Sequence, residues 1–309
     1  MVARAIAVVS VCLLTAGTAP VTDPPRSPSS AVPDGCEAAA RSAAPGTPGR
    51  GLEPHAPGHG QVAEMLADHD RRRSALRRAP AETITVPTWV HVITNGRQGA
   101  SDAAVRGQIA ALNAAYGGRY GGADTGVRFR LAGITRRNNP AWFASPLTYE
   151  REVKQVRRGG PETLNLYIAQ LSRLVLGYST YPYWYANDPL ADGVVIDWRS
   201  MPGGSLRNFN RGFTGVHEIG HWFGLLHTFE NGCQEPGDGV ADTPPQGKAT
   251  EGCPAGKDTC PGGGADPIHN FMDYSYDTCM SQFTAGQGVR MREAWGMYRS
   301  SGPALTLDR

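Results

Sequence analysis

His217-Glu218-Ile219-Gly220-His221-Trp222-Phe223-Gly224-Leu225-Leu226-His227 is the stretch on which the reading of this chain turns. Side chains four apart share one face of a helix, so His217 and His221 present two imidazoles to a single point. Zinc takes such nitrogens at ~2.0–2.1 Å in a roughly tetrahedral arrangement. Gly224 stands where the helix must end, because glycine accepts the positive φ that a Cβ-bearing residue resists. The reversal there lets His227 return to the same point. Three protein ligands leave a fourth position open, the arrangement of a catalytic site. Glu218 is one residue on from a ligand, so it is not aimed as a ligand itself. It is read as the general base that takes a proton from water. Histidines that merely pack in a core leave the spacing and the glutamate unexplained.

Working outward, the chain before the motif alternates strands and helices. Residues 83–94 are rich in β-branched side chains and read as a strand, ended by Asn95-Gly96. Ser101 or Asp102 caps a helix running to about Tyr116, with Val105, Ile109 and Leu112 on one face. Residues 126–134 alternate as a strand. Residues 147–158 read as a helix closed by Gly159-Gly160. Residues 163–169 and 193–198 read as strands, and residues 214–226 as the motif helix. Beyond it the chain is rich in Gly, Pro and Cys up to a last helix over 286–298. No internal repeat is found.

The N-terminus reads as an export signal, residues 1–19: Arg4 supplies the charge and residues 5–14 the apolar run. That run is too short for a membrane span of roughly 20 residues, and no membrane association is expected. Residues 20–78 read as a pro-region, first Pro/Gly/Ala/Ser-rich and unable to bury much apolar surface, then a short charged helix over 61–78. The stretch Arg71-Arg72-Arg73-Ser74-Ala75-Leu76-Arg77-Arg78 is a plausible cleavage junction. Residues 79–309 form the catalytic domain. The net charge of +2, 30 Lys and Arg against 28 Asp and Glu, gives no basic face for nucleic acid. Four cysteines, Cys233, Cys253, Cys260 and Cys279, crowd the C-terminal stretch. In an oxidising compartment they read as two disulfides, with three pairings open. Their spacing lacks CxxC, which argues against a second zinc site.

The elongated motif with its second glycine and third histidine marks the metzincins, and Asn270-Phe271-Met272-Asp273-Tyr274-Ser275 resembles their Met-containing turn. Within them the chain resembles the pappalysin family, in its small bacterial and archaeal form. The matching words are His227-Thr228-Phe229, Gly232-Cys233, Ala241-Asp242-Thr243-Pro244, Gly252-Cys253-Pro254, Asp258-Thr259-Cys260-Pro261 and Cys279-Met280. The resemblance spans about residues 84–300. It implies an α+β metzincin-type zincin: a twisted sheet with the active-site helix in an N-terminal subdomain, then a loop-rich, disulfide-stapled C-terminal subdomain. It implies disulfides Cys233–Cys260 and Cys253–Cys279, Met272 as an apolar floor under the histidines, and Tyr274 near the metal. A phenol there is a suitable donor to a developing oxyanion. The resemblance also implies calcium, for which Asp238 and Asp242 offer hard oxygen ligands. It implies a preference for a basic residue after the scissile bond, set by Asp277 or weakened if Thr278 is the pocket residue.

The expected function is a secreted, monomeric, zinc-dependent endopeptidase acting on proteins or peptides and made as a latent proenzyme. Cys36 is the candidate latency ligand, since thiolate binds zinc well; Asp34, Asp68 and Asp70 are carboxylate candidates. The alternatives are an exported zinc-binding protein without catalysis, or another metzincin family such as the astacins or matrixins.

Overall fold

The structure, a computed structural model, describes residues 51, 53–76, 79–172 and 174–300. The expected signal, Asp34 and Cys36 lie outside these. Helix α1 (His59–Ala75) comes first, followed by β1 (Ile84–Thr94), α2 (Asp102–Tyr116) and β2 (Val127–Asn138). Then come α3 (Pro140–Ala144), α4 (Glu150–Lys154), β3 (Leu164–Ala169), β4 (Gly177–Ser179) and β5 (Val194–Asp197). Helices α5 (Phe213–Trp222) and α6 (Ala285–Ala294) close the order, α6 running on into a π-helical turn, Trp295–Arg299.

The strands form one mixed sheet in the order β2-β1-β3-β5-β4. All neighbours run parallel except β4, which pairs antiparallel to β5 with Tyr178 opposite Val195. Alternation along β3 sends Leu166 and Ile168 to one face and Tyr167 and Ala169 to the other. Every side chain of β3 is buried, as a covered parallel sheet requires. The first face packs against α2 and α5 through Val105, Ile109, Leu112, Val216 and Ile219. The second is covered by Phe143 of α3 and Val153 of α4.

Ser101 caps α2 by accepting from the Ala104 N–H at 3.1 Å. Thr284 and Gln287 form a capping box at the start of α6. The helix expected over 147–158 is present but shorter, as α4, Glu150–Lys154, and a further short helix, α3, precedes it. Asn139 caps α3 with Pro140 in its first turn, and the chain leaves that helix at Ser145 before α4 begins. The motif helix ends at Trp222, four residues earlier than expected.

Residues 228–284 contain no helix or strand; an isolated bridge pairs Asn270 with Gln282. Cys233 is bonded to Cys260 and Cys253 to Cys279. Between these bridges runs a buried polar web. Asp273 accepts from Gln246 Nε2 at 3.0 Å and from the Thr250 N–H at 2.9 Å, and Gln246 accepts from Thr228 Oγ1 at 2.7 Å. Among the described residues no helix is long and apolar enough to cross a membrane.

Helix α1 packs on the same body. Val62 and Met65 join Tyr181 and Leu226 in an apolar cluster. Asp68 accepts from Tyr298 Oη at 2.6 Å, and the Arg72 guanidinium lies 4.8 Å over the Tyr298 ring.

Candidate active site

Helix α5 is buried along its whole length and ends in a Schellman motif. The Leu225 N–H donates to Gly220 O at 3.0 Å and the Gly224 N–H to His221 O at 2.8 Å, with Gly224 at φ +89°. That left-handed residue turns the chain so that His227 returns toward the helix.

The Met-containing turn then crosses beneath α5. A Cβ on Gly220 would stand 2.4 Å from Met272 Sδ, so only glycine lets the methionine lie against the helix. The same turn carries Phe271 O, which accepts from His217 Nδ1 at 2.7 Å.

Each of the other imidazoles is also oriented through Nδ1. His221 Nδ1 lies 2.8 Å from Leu225 O and 2.9 Å from Tyr181 Oη, and His227 Nδ1 lies 3.9 Å from Glu230. Such outer partners fix ring orientation in metal sites. All three Nε2 atoms therefore converge: His221 Nε2 lies 3.2 Å from His217 Nε2 and 3.1 Å from His227 Nε2. A tetrahedral zinc with ~2.0–2.1 Å bonds sets its donors roughly 3.3 Å apart. The triad has that spacing.

A fourth donor completes the set, and it comes from neither the motif nor Cys36. Glu53, in the stretch leading to α1, places Oε1 2.9 Å from His217 Nε2 and 3.0 Å from His227 Nε2, and Oε2 3.2 Å from His221 Nε2. These four residues form a group able to hold a metal ion. Two other carboxylates expected as candidates sit elsewhere. Asp68 is bound by Tyr298, Arg71 and Arg72, and Asp70 is an exposed partner of Arg73.

Electrostatics follow from this crowding. Burial would push the Glu53 carboxyl up, but the three histidines outweigh it and hold it well below the usual carboxylate range. Burial, with its two imidazole neighbours, drives His217 down to about 3. His227 feels the same burial, yet the Glu53 and Glu230 carboxylates lift it to about 10.

Glu218 is buried and packs over β4, where a Cβ on Gly177 would lie 2.6 Å from its Cγ. The Tyr274 ring stands 4.9 Å from that of His227 and 5.7 Å from that of His217, and its hydroxyl hydrogen-bonds Glu53. Burial first, then Glu53 and Glu218, push this phenol well above its ordinary value, so it remains an O–H donor. Phe229 stacks on His227 at 4.7 Å.

The other expected residues lie outside this cluster. Asp277 is buried and accepts from the Arg211 N–H at 2.7 Å, while Thr278 is exposed. Asp242 binds Thr284 Oγ1 and the Gly286 N–H at the start of α6. Asp238 accepts from the Val240 N–H and Thr243 Oγ1, and burial raises its carboxyl to about 7.

The peptidase M43 family model, described as pregnancy-associated plasma protein-A, matches residues 163–295. That span includes all three histidines, Glu218, Met272, Tyr274 and the four bonded cysteines. The chain is 43% identical over 229 residues to an extracellular metalloprotease of Uncinocarpus reesii, covering 71% of this chain and 79% of the relative. It is 38% identical over 263 residues to an extracellular metalloprotease of Arthroderma benhamiae, covering 82% and 85%. Among solved structures, a mutant of Tannerella forsythia promirolysin superposes with a TM-score of 0.67 at 26% identity, covering 78% of this chain and 92% of that one.

Proposed function

The chain belongs to the pappalysin family of metalloendopeptidases, and from that premise we propose that it is a secreted zinc endopeptidase held latent by its own Glu53. The observation that carries this reading is the set of three Nε2 atoms and one carboxylate at the donor spacing of tetrahedral zinc. Family membership sets aside the astacins and matrixins. The relatives named as extracellular support secretion, and a site complete within one chain supports action as a monomer.

In this reading His217, His221 and His227 hold the metal. A zinc ion there supplies Lewis acidity toward a scissile carbonyl and an attacking water. Glu218 accepts the proton of that water and returns it to the leaving amine, with no covalent intermediate. Tyr274 Oη donates to the oxygen that gains charge. Asp277 sets a preference for a basic residue after the scissile bond. Asp238 offers calcium an oxygen of its loop, with Oδ2 lacking a protein hydrogen bond.

Glu53 is the latency ligand in place of Cys36. Its carboxylate fills the fourth position and accepts from Tyr274, so one side chain blocks both water and the oxyanion donor. Removing residues up to the basic run Arg71–Arg73 withdraws it.

Incubating the mature form with casein or gelatin, with and without a chelator, tests the reading. Degradation that the chelator abolishes and added zinc restores is expected. Intact casein under every condition contradicts it and favours an exported zinc-binding protein without catalysis.

A further inference from the structure

Two residues beyond Glu53, a second side chain of the same segment docks on the peptidase body and forms one wall of a cavity there. The His55 ring lines a space of about 220 Å³ together with Glu150, Thr180, Trp184, Asp188 and Asp192. Its Nε2 lies 2.9 Å from Glu150 Oε2 and 3.1 Å from Oε1. Its ring meets Tyr178 of β4 edge-on, centroids 5.3 Å apart.

The other walls do not depend on His55. Glu150 Oε1 is held at 2.7 Å by Lys154 Nζ, which is fully buried and also donates to Ala191 O. Asp192 pairs with the fully buried Arg299 at 3.1 Å and accepts from Trp222 Nε1 at 3.2 Å. Asp188 caps its own turn through the Ala191 N–H. Both buried cations therefore already have their carboxylates. Glu150 Oε2, by contrast, has His55 as its hydrogen-bonding side chain in the structure, and withdrawal of the segment leaves that oxygen facing the cavity.

Position links the cavity to the reaction. β4 begins at Gly177 against Glu218, and Thr180 and Trp184 follow its C-terminal end. Glu53 and His55 are separated by at most ~7 Å of extended chain, so the cavity serves a residue near the bond that is cut. β4 is an edge strand of the sheet, the element on which an extended peptide lies by strand addition.

We propose that in the mature enzyme this cavity is a substrate subsite, in which Glu150 selects a basic, hydrogen-bond-donating side chain, histidine foremost, at one position reached from the C-terminal end of β4. Tyr178 supplies the ring surface and Glu150 Oε2 the acceptor. His55 holds the subsite's acceptor, Glu150, in the latent chain, so the inhibitory segment takes the metal and the key residue of a specificity pocket together. The inference rests on the peptidase reading above.

The test is digestion of a peptide library by the mature enzyme, read by mass spectrometry. Enrichment of histidine, with Lys and Arg behind it, is expected at one fixed position within about three residues of the cut, apart from the residue directly after it. For a matched pair of peptides differing by His against Ala there, kcat/KM is expected to differ roughly tenfold, the size of one charge-assisted hydrogen bond. In Glu150→Gln that ratio falls toward one, through KM rather than kcat. Should Lys154 without its counter-ion unfold that variant, Glu150→Gln with Lys154→Met removes both charges and is read the same way. Chelator-sensitive cleavage with no enrichment, or an enrichment that survives Glu150→Gln, overturns the subsite and leaves the peptidase reading standing. Absence of any cleavage overturns both.

Discussion

Residues 84–222 and residues 228–284 meet at the three histidines, and they keep their shapes by different means. The first region is a five-stranded sheet whose faces are covered by helices, with Val90, Leu166 and Ile196 fully buried. The second has no regular element, two disulfides, and buried carboxylates such as Asp273 satisfied by side chains and loop N–H groups. His217 and His221 belong to the first, the Met-containing turn belongs to the second, and His227 stands directly before the second, on the turn that joins them. The metal site therefore depends on a helix end and a cross-linked loop staying in register, and damage to each region should look different.

The largest effect is expected where the regions join. His221→Ala removes the central imidazole, which faces both other Nε2 atoms, and should lose zinc and casein hydrolysis together, measured by metal analysis and turnover. Next comes Glu53→Ala in the unprocessed chain. With the carboxylate gone the fourth position is open to water, and the full-length protein should hydrolyse peptides at least ~10-fold faster than its parent, the size of one charge-assisted hydrogen bond. Unchanged latency would show that α1, not Glu53, closes the site.

Stability separates the two regions directly. Leu166→Ala should cost ~2–5 kcal/mol by opening a cavity in the sheet core, lowering the melting temperature of the whole fold. Cys253→Ser with Cys279→Ser should cost a similar ~2–5 kcal/mol, but appear first as hydrogen exchange and proteolysis within residues 228–284 and as weakened zinc retention. If both variants melt in the same way, the two regions form one cooperative unit.

The smallest effect concerns the docking of α1. His69 is buried, and burial, then Arg290, push its imidazole down to about 4 from 6.5. The neutral ring is favoured when docked, so this contribution is fully present above pH 6.5 and is lost as the pH falls toward 4. Asp70 Oδ1 at 3.8 Å and Glu293 Oε2 at 3.5 Å face the ring, with Arg73 nearby. Glu293, raised by burial, opposes the trend. Comparison with His69→Asn isolates the histidine: hydrogen exchange in α1 should rise more steeply with acid in the parent.

Much of the sheet region was legible in the sequence because periodicity reports burial. Residues 83–94 and 163–169 announced β1 and β3, and Ser101 announced α2. The three-histidine motif was legible because an i, i+4 pair and a glycine stop are local geometry. β4 was not, since three residues, Gly177–Ser179, carry no period. The helix expected over 147–158 survives only as Glu150–Lys154, and the short helix that Asn139 and Pro140 start upstream of it was not read. Glu53 was invisible for a different reason. It lies 164 residues from His217, in a stretch that reads as Pro/Gly-rich linker, and only the docking of α1 brings it to the metal site. Glu150 is hidden in the same way, with His55 at 95 residues. The cysteine pairing came from family resemblance, because spacing alone left three choices.

The central claim is that one buried carboxylate, Glu218, acts as the base beside a metal held entirely by the three histidines. Metal content and turnover of mature Glu218→Ala, measured on the same sample, test it most directly. One zinc per chain with peptide hydrolysis reduced by at least ~10²–10⁴-fold is the predicted result. Full turnover with zinc retained would contradict it.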